Sequence, residues 1–192
     1  MSTKILAFAG SLRRDSYNRR LLPFAVDGAH AAGADVTVLD LADYPLPIMD
    51  ENLEARDGLP ENARKLKTLF KAHAGLLLAC PEYNSSITPL LKNTLDWISR
   101  QDGAESGAVP YRNKVVALVS ASDGRWGGMR GLRHVREILT TLGCVVLPDQ
   151  YMLSAAESAY DETGRFKDEK VRQSVAAVGA KLANALKQWQ PT

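Results

Sequence analysis

The sequence predicts a three-layer α/β fold, in which a parallel sheet of five strands is covered by helices on both faces. Three observations predict it. Short apolar runs rich in valine and leucine alternate with stripes of helical period along the chain. The run at 75–80, "GLLLAC", is apolar at every position, as the centre of a parallel sheet requires. At 192 residues, 45% hydrophobic and 24% charged, the chain suits one domain over 1–192 that buries a full core without disulfides or metal.

Each element has its own signal. "KILAFAG", 4–10, is a short apolar strand ending in glycine. Leu21, Leu22, Ala25, Val26, Ala29 and Ala32 then form one helical stripe, which Gly33 closes. "DVTVLDL", 35–41, alternates and reads as the second strand. "YPLPIMDE" is a loop, because Pro45 and Pro47 exclude a helix interior. Pro60 and Glu61 open a helix reaching about His73, followed by the third strand at 75–80. The next helix spans Pro89 to about Ser99, with Leu91, Leu95 and Ile98 on one face. "QDGAESGAVPY" is a loop before the fourth strand, 114–122. Leu132, Val135, Ile138, Leu139 and Leu142 mark a fourth helix, and "CVVLP", 144–148, the fifth strand. After a long irregular stretch, Val171, Val175, Val178, Leu182, Leu186 and Trp189 mark a terminal helix.

Five strands in this rhythm favour the flavodoxin-like order 2-1-3-4-5. In such a sheet ligands bind beyond the carboxyl ends of the strands, at the switch point between strands 1 and 3. That rule selects three loops, 10–18, 81–88 and 120–128.

The first loop, "GSLRRDSYNRRL", leads into a helix start, whose free amides and dipole favour anions. Ser11 and Ser16 add hydroxyl donors, and Arg13 adds a charged fork. The spacing matches neither G-x-G-x-x-G nor G-x-x-x-x-G-K-[ST], which disfavours a dinucleotide fingerprint and a nucleoside-triphosphate loop. A terminal phosphate monoester suits it. The alternative is ordinary capping by Ser16 or Asn18 with solvated arginines.

In the second loop Pro81 stops the strand, and Glu82, Tyr83 and Asn84 present backbone groups and an aromatic face to a planar heteroaromatic ring. The alternative is a tight turn with Tyr83 packed in the core. In the third loop Ser120 and Ser122 end the strand, and Gly124, Gly127 and Gly128 permit close approach to a ligand. Trp126 would cover a ring or sit at a subunit contact. Arg125, Arg130, Arg133 and Arg136 would attract a phosphorylated co-substrate, or form a solvated or intersubunit face.

Other classes find little support. A net charge of +2 is too small to argue for nucleic acid or an anionic membrane. His30, His73 and His134 share no metal-ligand spacing, and there is no G-x-S-x-G elbow. Cys80 lacks the arginine that a phosphatase loop would place about six residues on; Ser86 stands there. Cys80 and Cys144 read as buried thiols in a reducing compartment. With no signal peptide or membrane span expected, the predicted location is cytoplasmic. A site rich in loops and poor in side-chain catalysts implies that a cofactor performs the chemistry, with no catalytic side chain and no metal.

The three loops together resemble the NADPH-dependent FMN reductase family, which includes bacterial quinone and chromate reductases and azoreductases. "GSLRRDSYN" is similar to its phosphate loop, and "SASDGRWGG" to its third flavin loop. "PEYNSSITPLLKNTLDWISR" carries the most specific signature, P-E-Y-N followed by L-K-N-x-x-D-W. The resemblance implies that Ser11, Arg13, Ser16 and Asn18 hold the FMN phosphate, with Tyr17 a further cofactor contact. It implies that Pro81, Glu82, Tyr83 and Asn84 line the isoalloxazine, largely through backbone. Ser120, Ala121 and Ser122 would approach the pyrimidine end of the ring or the ribityl chain. NADPH or NADH is the implied co-substrate, and a quinone, flavin, azo compound or chromate-like oxyanion the acceptor. Asn93, Asp96 and Trp97 look like the helix that pairs subunits in homodimers or homotetramers. Ser85, where glycine or tyrosine is commoner, and the shifted proline of Thr88-Pro89 are local departures affecting pocket shape. A flavodoxin-type electron carrier and a flavin-sensing binding protein are the rival readings.

Overall fold

The computed structural model describes residues 3–188. The main sheet contains β1 (Lys4–Ala9), β2 (Asp35–Leu39), β3 (Gly75–Ala79), β6 (Val115–Ala121) and β7 (Val145–Leu153). Its order is β2-β1-β3-β6-β7 and every pairing is parallel, which is the predicted 2-1-3-4-5 arrangement. Between β3 and β6 lies a two-stranded antiparallel hairpin, β4 (Glu82–Tyr83) and β5 (Ser86–Ile87).

The helices are α1 (Tyr17–Ala31), α2 (Glu51–Asp57), α3 (Glu61–Ala72), α4 (Pro89–Ile98), α5 (Met129–Thr141) and α6 (Glu169–Gln188). Trp189, part of the terminal stripe in the sequence, lies outside the described residues. Every residue of β3 and β6 is buried, so helices cover both faces. On one face Ile5, Ala7, Leu77 and Val119 meet Leu21 and Ala25 of α1 and Leu182 of α6. On the other, Leu6, Phe8, Leu78 and Leu118 meet Leu66 and Phe70 of α3, Leu95 of α4 and Leu132 of α5. Helices α1 and α6 touch through backbone: a Cβ on Gly28 would lie 1.8 Å from the Ala176 carbonyl oxygen, and one on Gly179 equally close to that of Ala25.

Three local features depart from expectation. Residues 44–50 are irregular, but Glu51 already belongs to α2, with Asp50 accepting from the Asn52 amide and Gly58 (φ 75°) closing it. The second loop is a hairpin rather than a plain turn. Its two turn residues, Asn84 (φ 49°) and Ser85 (φ 69°), are both left-handed, as a type I′ turn requires. Strand β7 continues past Pro148 to Leu153, because a register shift opposite residues 116–118 takes up the proline on an edge strand.

The segment before α6, expected to be irregular, contains a single 3-10 turn at Ala156–Ala159 and a bridge from Tyr160 to Phe166. The Tyr160 ring stacks on Phe166 at 4.6 Å, and the Arg20 guanidinium lies 4.4 Å over it. Its hydroxyl is buried without a hydrogen-bond partner among the described residues. Burial pushes the phenol pKa up from 10.0 to about 12.

Tyr160→Phe is therefore expected to stabilise the fold by about 1 kcal/mol, seen as a higher urea midpoint, because it removes an unsatisfied buried group. The raised pKa has a definite sign. Between pH 10 and about 12 the unfolded chain loses the proton and the folded chain keeps it, so stability falls as pH rises through this window. Part of that alkaline loss should vanish in Tyr160→Phe.

Candidate functional site

The three selected loops meet at the carboxyl edge of the sheet. They enclose a cavity of about 210 Å³ lined by Ser11, Arg13, Ser16, Tyr17 and Asn18, by Pro81, Glu82 and Tyr83, and by Ala121, Ser122 and Asp123. A second hollow of about 260 Å³ shares Ser11, Arg13 and Tyr83 with it and adds Gly10, Leu12, Thr88, Pro89 and Leu90. Together they form one trough beside Tyr83, whose ring is 54% exposed rather than packed in the core. A larger groove of about 450 Å³ lies between α1 and edge strand β2. Its charged lining is Asp27, Asp40, Asp43 and Arg19, with Arg19 already paired to Asp40, so an anionic cofactor does not suit it.

Loop one presents unused donors. Helix α1 begins at Tyr17 with Ser16 in the capping position but without a side-chain cap, and its first turn holds no acid. The early amides of the helix are thus left to an external acceptor. The Ser11 oxygen accepts from the Arg13 amide at 3.2 Å, which leaves its own proton free to donate. Arg13 is exposed and lies 5.5 Å over the Tyr17 ring. This donor set fits a phosphate monoester, and the adjoining trough with its exposed tyrosine and apolar wall fits a planar ring. FMN has both parts.

Several expected contact residues also brace the loops. Asn18 is buried and spends its amide on the backbone of Ala121, donating to the carbonyl at 2.8 Å and accepting from the N–H at 3.0 Å. This ties loop one to the end of β6. Ser120 is fully buried and donates to the Cys80 carbonyl at 2.7 Å, so its hydroxyl does not reach the cavity. The Glu82 carboxylate accepts from Arg130 and from the Gly131 amide on α5. Asn84 sits exposed at the hairpin turn and is not among the cavity-lining residues. The positive-φ glycines of loop three approach protein rather than open space: a Cβ on Gly128 would meet the Ser120 Oγ at 1.9 Å, and one on Gly127 the Met152 and Leu153 backbone at 2.9 Å.

Other sequence-selected residues divide in the same way. Trp97 is fully buried and donates to the Pro47 carbonyl, while Asn93 bonds Met49 N–H and Pro47 O, so both hold the 45–49 loop within the subunit. Asp96 pairs with Lys92 on the same helix. Arg136 donates to the Val146 and Leu147 carbonyls, whereas Arg125 lies over the half-exposed Trp126. Cys80 is fully buried beneath the site, and burial holds its thiol far above the ordinary range. No group of His, Cys, Asp or Glu among the described residues is arranged to hold a metal.

Two residues were given no site role by the sequence reading. Asp123 lines the cavity, and the Tyr17 phenol pKa is raised, first by the nearby Asp123 carboxylate and second by burial. Thr88 caps α4, accepting from Leu91 N–H, and donates to the Gly10 carbonyl at 2.7 Å, so it locks loop two to loop one. The Thr-Pro pair at a helix start was the available signal.

Replacing Asn18 by alanine would orphan both polar groups of Ala121. A loss of about 2–4 kcal/mol is expected, read as a lower urea midpoint with an unchanged slope.

Residues 3–158 match the NADPH-dependent FMN reductase family. The chain is 35% identical over 173 residues to an NAD(P)H-dependent FMN reductase of Pseudomonas aeruginosa, covering 90% of this chain and 89% of that one. It is 32% identical over 180 residues to an NAD(P)H:quinone oxidoreductase of Solanum tuberosum, covering 91% and 88%. Among solved structures, a flavoenzyme NAD(P)H:(acceptor) oxidoreductase of Paracoccus denitrificans superposes with a TM-score of 0.80 at 26% identity, covering 97% and 98%. With a phosphate-fitting helix start, a ring-sized trough and a family match across most of its length, this chain belongs to the NADPH-dependent FMN reductases.

Proposed function

We propose that this protein is an FMN-dependent NAD(P)H oxidoreductase that delivers electrons to a small acceptor of the quinone, flavin, azo or chromate type. The observation that carries the reading is the convergence of an uncapped α1 start, free serine and arginine donors and an exposed tyrosine on one trough at the switch point. When bound, FMN would supply the two-electron exchange between nicotinamide and acceptor in ping-pong order.

The protein's own residues orient and enclose. Ser11, Arg13, Ser16 and the early amides of α1 bind the phosphate. Pro81 and the β4–β5 hairpin present backbone to the ring, and Tyr83 forms an aromatic wall. Ala121 and Ser122 close the third side. Asn18, Ser120 and Thr88 fix the loops that make these contacts. No side chain is assigned as a proton donor.

Exposed Leu12, Ile48, Tyr83 and Trp126 support assembly as a homodimer or homotetramer, which sedimentation would read directly. The free, buried Cys80 and Cys144 fit a reducing cytoplasm. No helix among the described residues is long and apolar enough to cross a membrane.

The test is an anaerobic absorption spectrum of the FMN-loaded protein before and after NADPH. Bleaching of the bound flavin, and steady NADPH oxidation with a quinone, are expected. Bound flavin that stays oxidised with both NADPH and NADH would indicate a carrier or sensor, and failure to bind FMN would overturn the assignment.

The phosphate contacts make a second expectation. FMN should bind at least about tenfold more tightly than riboflavin, because each charge-assisted hydrogen bond contributes about 1.5–3 kcal/mol. Arg13→Gln should narrow that ratio while leaving riboflavin affinity unchanged, as isothermal titration would show.

A further inference from the structure

The ring-facing hairpin is held from outside by α5. The Glu82 carboxylate accepts from Arg130 Nε at 3.0 Å with one oxygen, which also pairs ionically with Arg130 Nη2 at 2.7 Å, and from the Gly131 amide at 3.0 Å with the other. Gly131 is the third residue of α5, and the capping position, Gly128, has no side chain to satisfy its amide. Glu82 therefore caps a helix distant in sequence while it anchors its own strand. Strand β5 is tied to the same helix by Ser86 Oγ and His134 Nδ1 at 2.9 Å. Gly131 lets the two pieces close, since a Cβ there would meet Ser86 O at 3.2 Å and Glu82 Cβ at 3.3 Å.

The charges are unequally exposed. The Glu82 side chain is 8% exposed and that of Arg130 51%. A cavity-lining residue thus carries a nearly buried carboxylate, and its neutralising partner is a solvent-facing arginine. Resting on the FMN reading above, we propose that Glu82 and Arg130 are a paired positioning device. It fixes the hairpin backbone against the isoalloxazine and cancels a carboxylate charge that would otherwise disfavour electron entry into the ring.

Electrostatics gives this proposal a signature that a structural role lacks. Removing Arg130 leaves the Glu82 charge uncompensated beside a ring that gains negative character on reduction, so the flavin potential becomes more negative. Neutralising Glu82 leaves an uncompensated Arg130, so the potential becomes more positive. Simple loosening of the hairpin would move both variants the same way.

The test compares wild type, Glu82→Gln, Arg130→Gln, Arg130→Lys and the double variant Glu82→Gln/Arg130→Gln. FMN dissociation constants would be read from flavin fluorescence, midpoint potentials from dye-coupled anaerobic titration, and apoprotein melting from circular dichroism. Each glutamine variant should bind FMN about tenfold more weakly. Potentials should shift in opposite directions in the two single glutamine variants, lie near wild type in the double variant, and be retained in Arg130→Lys. Potentials that move in the same direction, or not at all, would overturn the charge-cancelling role while leaving the family reading intact. A wild type that binds no FMN would overturn the FMN reading and this proposal with it.

Discussion

A parallel sheet buried on both faces leaves its polar backbone nowhere to meet a ligand except at its ends. Strand β3 is buried at every residue, from Gly75 to Ala79, and its neighbour β6 likewise. Their amides and carbonyls are consumed by the ladder. At the carboxyl edge that ladder runs out at Ala9, Ala79 and Ala121, and the chain must turn back into helices. The strand ends are therefore where backbone groups fall free and where helix starts point their amides. The candidate site is built from what the sheet cannot use.

The constraint also creates a problem, since three loops meeting at one edge need to be held in register. Four long-range polar links do this. Asn18 joins loop one to the end of β6, Thr88 joins loop two to Gly10, Ser120 joins β6 to Cys80, and Glu82 joins the hairpin to α5. Each uses a side chain to satisfy a backbone group on another element, so each replaces a polar group that burial would otherwise leave unpaired. All four residues carry hydrogen-bonding chemistry that a ligand could use. Their burial and their partners show that the fold uses it first.

This division explains what the sequence disclosed and what it withheld. Periodicity revealed the five main strands and their order, because a core-facing stripe is a local property of the chain. Helix α2 was invisible to that signal: it has no buried residue, and only Asp50 and Gly58 mark its ends. The hairpin strands are two residues long, too short for alternation to register, and their Asn84-Ser85 turn lacks the usual glycine. Pro148 read as a stop because a bulge on an edge strand is not written in the local pattern. Convergence of the three loops was legible from topology, down to most of the cavity-lining residues. The bonds by which some of these residues brace the loops were not. Asn18 finds its partner 103 positions away, and nothing near Asn18 in the chain announces Ala121.

Bracing of this kind bears on how binding is achieved. The four links are made within the protein and need no ligand to complete them. The groups left over at the first loop are donors: the early amides of α1, the Ser11 proton and the Arg13 guanidinium. An anion arriving there meets aligned donors, and little side-chain ordering opposes it. The ring side is different in kind, with exposed Tyr83 and Leu12 and a backbone-lined hairpin. Flat apolar surface and main-chain groups discriminate weakly among planar molecules, whereas a charged phosphate cradle discriminates strongly. A site with one exacting end and one tolerant end is suited to keep its cofactor while exchanging the small molecules that pass electrons through it.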